Sequence, residues 1–134
     1  VLGLAQAAMD DAAAYASERI CFGRPIVSFE LIQQKLADME IALQNTRNML
    51  YRTLWKMDTG QSVRIDSALL KRYAAQQCTW VCSEALQIYG GLGFTTETRL
   101  GRLWLDCRGM QIAGGTDEIM VYIAGRQIAK EYAR

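Results

Sequence analysis

The chain has 134 residues, 51% of them hydrophobic, which suits one compact domain with a real core. Lys and Arg total 15 against 14 Asp and Glu, and this near-balance argues against nucleic acid or an anionic membrane as the main partner, since both leave a basic excess. One proline and eleven glycines exclude a low-complexity or collagen-like chain, and no stretch reaches the roughly 20 apolar residues that cross a bilayer.

In chain order, five helical segments are predicted. The first runs from about Val1 to Ile20 and is rich in alanine. Val1-Leu2-Gly3-Leu4 reads as the inside of a helix, with no Met, no charged n-region and no capping residue ahead. The expectation is a single helical-bundle domain, residues 1–134, that is a piece of a longer protein. Gly23 and Pro25 in "ERICFGRPI" stop this helix.

Ser28 is the predicted cap of the second helix, Phe29 to Asp58. Ile32, Leu36, Met39, Leu43, Thr46, Leu50, Thr53 and Met57 recur at steps of four and three, which marks one continuous buried stripe. Near 30 residues, this helix extends about 45 Å at 1.5 Å per residue. Leu31, Ile41 and Trp55 give it a second apolar face, which points to packing against another subunit or domain. Gly60 is its stop.

The third helix runs from about Asp66 to Tyr89, with Ala68, Ala75, Thr79, Cys82, Leu86 and Tyr89 inward, and "GGLGF" ends it. A short fourth covers Thr98 to Arg108. The fifth starts at Thr116, which can cap its first turn, and carries Ile119, Ile123 and Ala124 inward. Asp117 and Glu118 suit the positive end of its dipole. No alternating β-branched run signals a strand. The predicted fold is therefore all-α, an antiparallel up-down four-helix bundle with an additional short helix.

Catalytic inventory is thin. The chain has no His, so no Ser-His or Cys-His pair is available and no side chain titrates near neutrality unperturbed. Glu84 and Glu97 read as ordinary solvated carboxylates. Cys78 and Cys82 share a helix face, but Cys21 and Cys107 lack the tight spacing of zinc ligands. The four therefore read as reduced, mostly buried thiols of a cytosolic or matrix protein, with no metal site. Three loops stand apart: "ERICFGRPI", "QIYGGLGF" and "AGGTDEI" each place Gly beside a polar or aromatic residue at a helix end. Gly admits close backbone approach and Arg19 offers a fork suited to phosphate, so the three loops together predict a shared ligand surface.

At these loops the sequence resembles the C-terminal helical domain of the acyl-CoA dehydrogenase family, over essentially the whole chain. "ERICFGRPI" matches Glu-Arg-x-x-Phe-Gly-x-x-Ile, "LQIYGGLGFTTE" matches Gln-x-x-Gly-Gly-x-Gly-[Phe/Tyr], and "GGTDEI" matches Gly-Thr-x-[Glu/Gln]-Ile. Asp58-x-Gly60, Lys71 and Arg126 also fall in register. The resemblance implies an FAD enzyme that dehydrogenates acyl-CoA thioesters, with an N-terminal helical domain and a middle β domain preceding this bundle. It implies a homodimer or homotetramer and an electron-transfer flavoprotein or similar acceptor. The implied location is bacterial cytoplasm, or the mitochondrial matrix as the alternative. Arg19 and Phe22 would contact the FAD of a neighbouring subunit, with Ile26, Phe29 and Ile32 on the same cofactor side. Gln87, Gly90 and Gly91 would line that cofactor, and Thr116 and Glu118 would approach FAD from the fifth helix. Gly114 and Gly115 would face the substrate.

The family's commonest base is the Glu just before this Gly-Thr, where Gly114 stands here. Ala113 replaces the frequent Tyr before it, and Leu105-Asp106 replaces a frequent Arg-Asp. The chain thus carries no catalytic residue by this pattern, and the expected base lies upstream of Val1. A reductase-like or carnitine-derivative-specific relative, a flavoprotein homologue without dehydrogenase activity, and a cofactor-free helical interaction domain are the other readings.

Overall fold

The computed structural model describes residues 1–133. Its core is built on a stripe without side-chain bulk. α1 (Leu2–Glu18) buries Ala5, Ala8, Ala12 and Ala16 completely, at steps of three and four residues. A helix face made only of methyl groups lets a second backbone approach closely. The partner is α3 (Arg64–Tyr89), whose Cys78, Val81, Cys82, Ala85 and Ile88 join these alanines in one cluster.

α3 is the hub of the bundle. It packs on α1, on α2 (Glu30–Asp58), on α4 (Leu100–Gly109) and on α5 (Asp117–Tyr132). Lys35 pairs with Glu84 and Lys56 with Asp66, so α2 and α3 run antiparallel. Gln76 bonds Asp117 at the start of α5, while Arg64 and Ile65 line a groove with Tyr122 and Lys130 further along it, so α5 is antiparallel to α3 as well. The result is the predicted up-down helical bundle with α4 as its short extra helix.

Several local expectations hold and some are corrected. Gly60 (φ +73°) ends α2 as predicted: its N–H reaches the Met57 carbonyl and that of Gln61 reaches Lys56, the paired bonds that close a helix through a left-handed glycine. Thr46 and Thr53 lie on the buried stripe because each hydroxyl donates to the carbonyl four residues back, at 2.8 Å in both cases. Met57 does not belong to that stripe. It is 54% exposed in the last turn, where the chain is already leaving toward Gly60. Ile119, expected inward, is 49% exposed because α5 packs chiefly on α3 and covers only a narrow line through Ala124. Ser28 is not the cap of α2. Its hydroxyl donates to the Pro25 carbonyl within a short 3-10 turn, Ile26–Ser28, and Phe29 takes the cap position without a side-chain bond.

The predicted absence of strands is also corrected. α1 stops at Glu18, and β1 (Ile20–Cys21) pairs antiparallel with β2 (Arg24–Pro25). Strands of two residues are too short to leave an alternating pattern in the sequence.

The alanine face yields a packing test. Ala12→Leu inserts bulk between α1 and α3 and is expected to lower unfolding stability by about 1–3 kcal/mol. Exposed Ala14→Leu should stay within about 0.5 kcal/mol of the parent in the same urea titration.

Candidate functional site

The loop after α1 is a tight hairpin. Its two central residues, Phe22 (φ +52°) and Gly23 (φ +78°), both lie in the left-handed region, the signature of a mirror-image turn between paired strands. Gly adopts this conformation freely; Phe does not. Phe22 is moreover 98% exposed, so little packing within its own chain repays the strain. Its ring meets Phe29 edge to face at 6.3 Å, and the Arg24 guanidinium lies 4.1 Å from the Phe29 ring centre. Together with Ile26 and Ile32 they line a cavity of about 570 Å³ between the hairpin and the first turn of α2. Arg19 stands beside it. Its carbonyl accepts from Ile26 N–H at 2.9 Å, which fixes its backbone and leaves its exposed guanidinium without a hydrogen bond among the described residues.

The second loop is brought to the same end of the bundle. Tyr89 at the end of α3 stacks on Tyr15 with ring centres 4.1 Å apart, and its hydroxyl donates to the Asp11 carbonyl. Tyr15 lies one turn before Arg19, whose N–H it accepts. Gln87 and Gly90–Gly91 are exposed there. The three glycines of "GGLGF" differ in what demands them. Gly90 has φ +61° at the helix end. Gly93 is buried, and a Cβ on it would sit 2.9 Å from the Leu86 carbonyl oxygen. Gly91 has neither a positive φ nor a neighbour that a Cβ would meet.

The third loop lies further along α3 from the other two. Gly114 (φ +66°) and Gly115 (φ +100°) form the turn into α5, and this turn is fastened to the middle of α3. Lys71 donates to the Gly115 carbonyl, Gln76 donates to Asp117 at 3.0 Å, and Gln111 donates to Thr79 at 3.0 Å. Eleven residues of α3 separate Gln76 from Gln87, about 16 Å at 1.5 Å per residue. A Cβ on Gly114 would point into open space. Thr116 caps α5 as predicted, accepting from Ile119 N–H at 3.4 Å. Backbone N–H at this helix start and the Thr116 hydroxyl hold the Glu118 carboxyl below the usual carboxylate range.

Several of the remaining polar candidates are committed to structure. Glu84, read from sequence as solvated, is partly covered and paired with Lys35; Glu97 is exposed as expected. Cys78, Cys82 and Cys107 are buried and Cys21 is half-buried, all as free thiols. Burial pushes the Cys78 thiol up to about 12. Leu105 and Asp106 are exposed on α4, and Arg126 donates to the Tyr122 hydroxyl at 2.9 Å. Sequence reasoning passed over Arg24, Gln76 and Gln111. Arg24 could have been found, because it lies in the quoted hairpin beside two aromatic residues; the two glutamines carry no pattern of their own.

A bundle with glycine-bearing loops at helix ends, an exposed Arg–Phe hairpin and a capped Gly-Gly-Thr turn is the architecture of one family. Residues 1–129 match the description "Acyl-CoA dehydrogenase, C-terminal domain", and the chain belongs to that family. The Escherichia coli K12 protein named "Probable acyl-CoA dehydrogenase YdiO" is 51% identical over 130 residues, which cover 97% of this chain and 34% of that protein. Butyryl-CoA dehydrogenase from Megasphaera elsdenii superposes with a TM-score of 0.93 at 36% identity, over 96% of this chain and 33% of that one. A structure described as the FAD complex of PigA superposes at 0.91 with 29% identity, over 97% of this chain and 34% of that one. The chain thus spans about a third of the length of the relatives it matches.

The hairpin strain can be measured. Phe22→Asn places the residue that mirror-image turns favour in the left-handed position. It is expected to raise unfolding stability by about 0.5–1 kcal/mol in thermal or urea unfolding. A loss of stability would mean that Phe22 is held by packing within the chain.

Proposed function

We propose that residues 1–134 are the C-terminal helical domain of a longer FAD-dependent acyl-CoA dehydrogenase, contributing cofactor binding and oligomerisation to α,β-dehydrogenation of an acyl-CoA thioester. The observation that carries this reading is Gly91. Neither backbone angle nor packing within the chain asks for glycine there, yet it sits beside Gln87 at the end of the bundle that carries Arg19 and Phe22. A glycine without a local duty fits a surface that something else must approach.

The residues fit the cofactor. The exposed Arg19 guanidinium suits a diphosphate, and Phe22, Ile26, Phe29 and Ile32 offer an apolar wall to an aromatic or ribityl portion. Gln87, Gly90 and Gly91 offer an amide and open backbone. The start of α5, with Thr116 and Glu118, offers a helix N-terminus about 16 Å along α3 from that cluster. This spacing suits a domain that touches cofactor at two separate places in an assembly, and so favours a homodimer or homotetramer. Leu31, Ile41 and Trp55 are uncovered on α2 and give such an assembly an apolar face. FAD, when bound, supplies the hydride acceptor.

Within this chain Gly114 shapes the substrate side by leaving it open, while Gly115 beside it makes room for Met120, whose Cε lies 2.6 Å from where a Cβ would stand. Gly114 offers no carboxylate, the Glu118 carboxylate is engaged by backbone N–H at the helix start and by the Thr116 hydroxyl, and Asp117 is engaged by Lys71 and Gln76. The base that takes the α-proton therefore comes from outside these residues, and we place it upstream of Val1. An electron-transfer flavoprotein or similar acceptor follows as the redox partner, and four free thiols fit the reducing bacterial cytoplasm.

The full-length protein is expected to purify yellow. Arg19→Ala and Gly91→Ala should each weaken FAD binding by about tenfold or more without lowering the unfolding stability of flavin-free protein. A colourless protein that no added FAD can reconstitute would overturn the assignment. Gly114→Glu should change turnover or acyl-chain preference; unaltered kinetics would remove Gly114 from the substrate side.

A further inference from the structure

The turn that carries Gly114 and Gly115 is closed by one backbone bond, from Asp117 N–H to the Gln111 carbonyl at 3.0 Å, and has few other means of its own for holding its shape. Both glycines have left-handed backbones, and neither brings a side chain to pack. Left alone, such a segment samples many conformations. The rest of its anchoring comes from α3. Lys71 reaches across and donates its ammonium proton to the Gly115 carbonyl. The same ammonium lies 3.7 Å from Asp117 Oδ1, two residues further on. Asp117 is itself 9% exposed and takes a hydrogen bond from Gln76 on its other oxygen, at 3.0 Å. Its Oδ1 is buried and makes no hydrogen bond, so the nearby Lys71 charge is what offsets its desolvation.

Lys71 and Gln76 therefore grip opposite sides of one short segment: the last carbonyl of the glycine turn and the first side chain of α5. A five-residue step on α3 spans about 7.5 Å, which matches the reach from a turn to the helix it begins. We infer that Lys71, with Asp117 as its counter-charge, is a positioning residue: it fixes the Gly114–Gly115 backbone, and through it Thr116 and the start of α5, against the ligand side of the domain. This inference rests on the proposed role of the turn at the edge of the flavin and acyl-CoA site. The grip itself is independent of that role. Lys71 touches no reacting group; it acts through the backbone it holds, where a shift of about 1 Å is enough to cost a large part of a rate.

The test uses the full-length protein with Lys71→Met, Lys71→Arg and Asp117→Asn. Amide hydrogen exchange is read first, since it needs neither cofactor nor turnover. In Lys71→Met, exchange across residues 113–119 should rise by about tenfold or more, while residues 78–88 of α3 and the hairpin at residues 19–25 keep parent rates. Lys71→Arg should restore most of the protection, because a guanidinium can reach the same carbonyl, and Asp117→Asn should fall between. Parent-like exchange in Lys71→Met overturns the positioning role, and a uniform rise throughout α3 shows a general structural defect and overturns it too. Turnover is read second. With the grip lost, kcat for an acyl-CoA substrate should fall about tenfold or more while flavin content stays at the parent level. Local loosening with unchanged kcat refutes the link from the grip to chemistry. Local loosening in a protein that binds no flavin leaves the grip standing and refutes the parent proposal instead.

Discussion

Everything at the candidate site depends on how closely α1 lies on α3. Four alanines on one side and small residues on the other bring the helices together, and this approach lets Tyr15 stack on Tyr89 at 4.1 Å. That stack sets the end of α1 beside the end of α3. The hairpin and the glycine loop, separated by some sixty residues of sequence, thereby share one face. Larger side chains on α1 would keep the helices and the bonds within them, but would part the loops.

The bundle was legible because its signals are local and repeated. Steps of three and four residues marked α2 and α3, and Gly60 marked a helix end with the backbone angle it requires. Two of its failures share a cause. Met57 and Ile119 obey the same spacing as their buried neighbours, yet they lie where no second helix covers them. Periodicity gives the face of a helix, not the extent of its partner. Ser28 had the right chemistry for a cap but a nearer acceptor in the Pro25 carbonyl. The hairpin was invisible because two residues per strand form no pattern.

The candidate site was legible as three loops but not as an arrangement. Glycine beside arginine or threonine at a helix end is a property of a few adjacent letters. The grouping of two loops at the end of α3, with the third about 16 Å along it, follows from tertiary distances. The polar clasp of Lys71, Gln76 and Asp117 was equally hidden, since Asp117 lies more than forty residues from the two α3 side chains that hold it and nothing in its own motif points to them. Similarity to known proteins could supply the family, but not which bonds hold this particular turn.

Phe22 has a thermodynamic corollary. A large ring held in a left-handed turn and almost wholly in water is a debt carried by the isolated domain. Whatever lies against that ring removes apolar surface from water and so binds the folded state in preference to the unfolded one. Folding and occupancy are then linked: the melting temperature of this domain reports how well its exposed corner is covered, and rises with the concentration of whatever covers it.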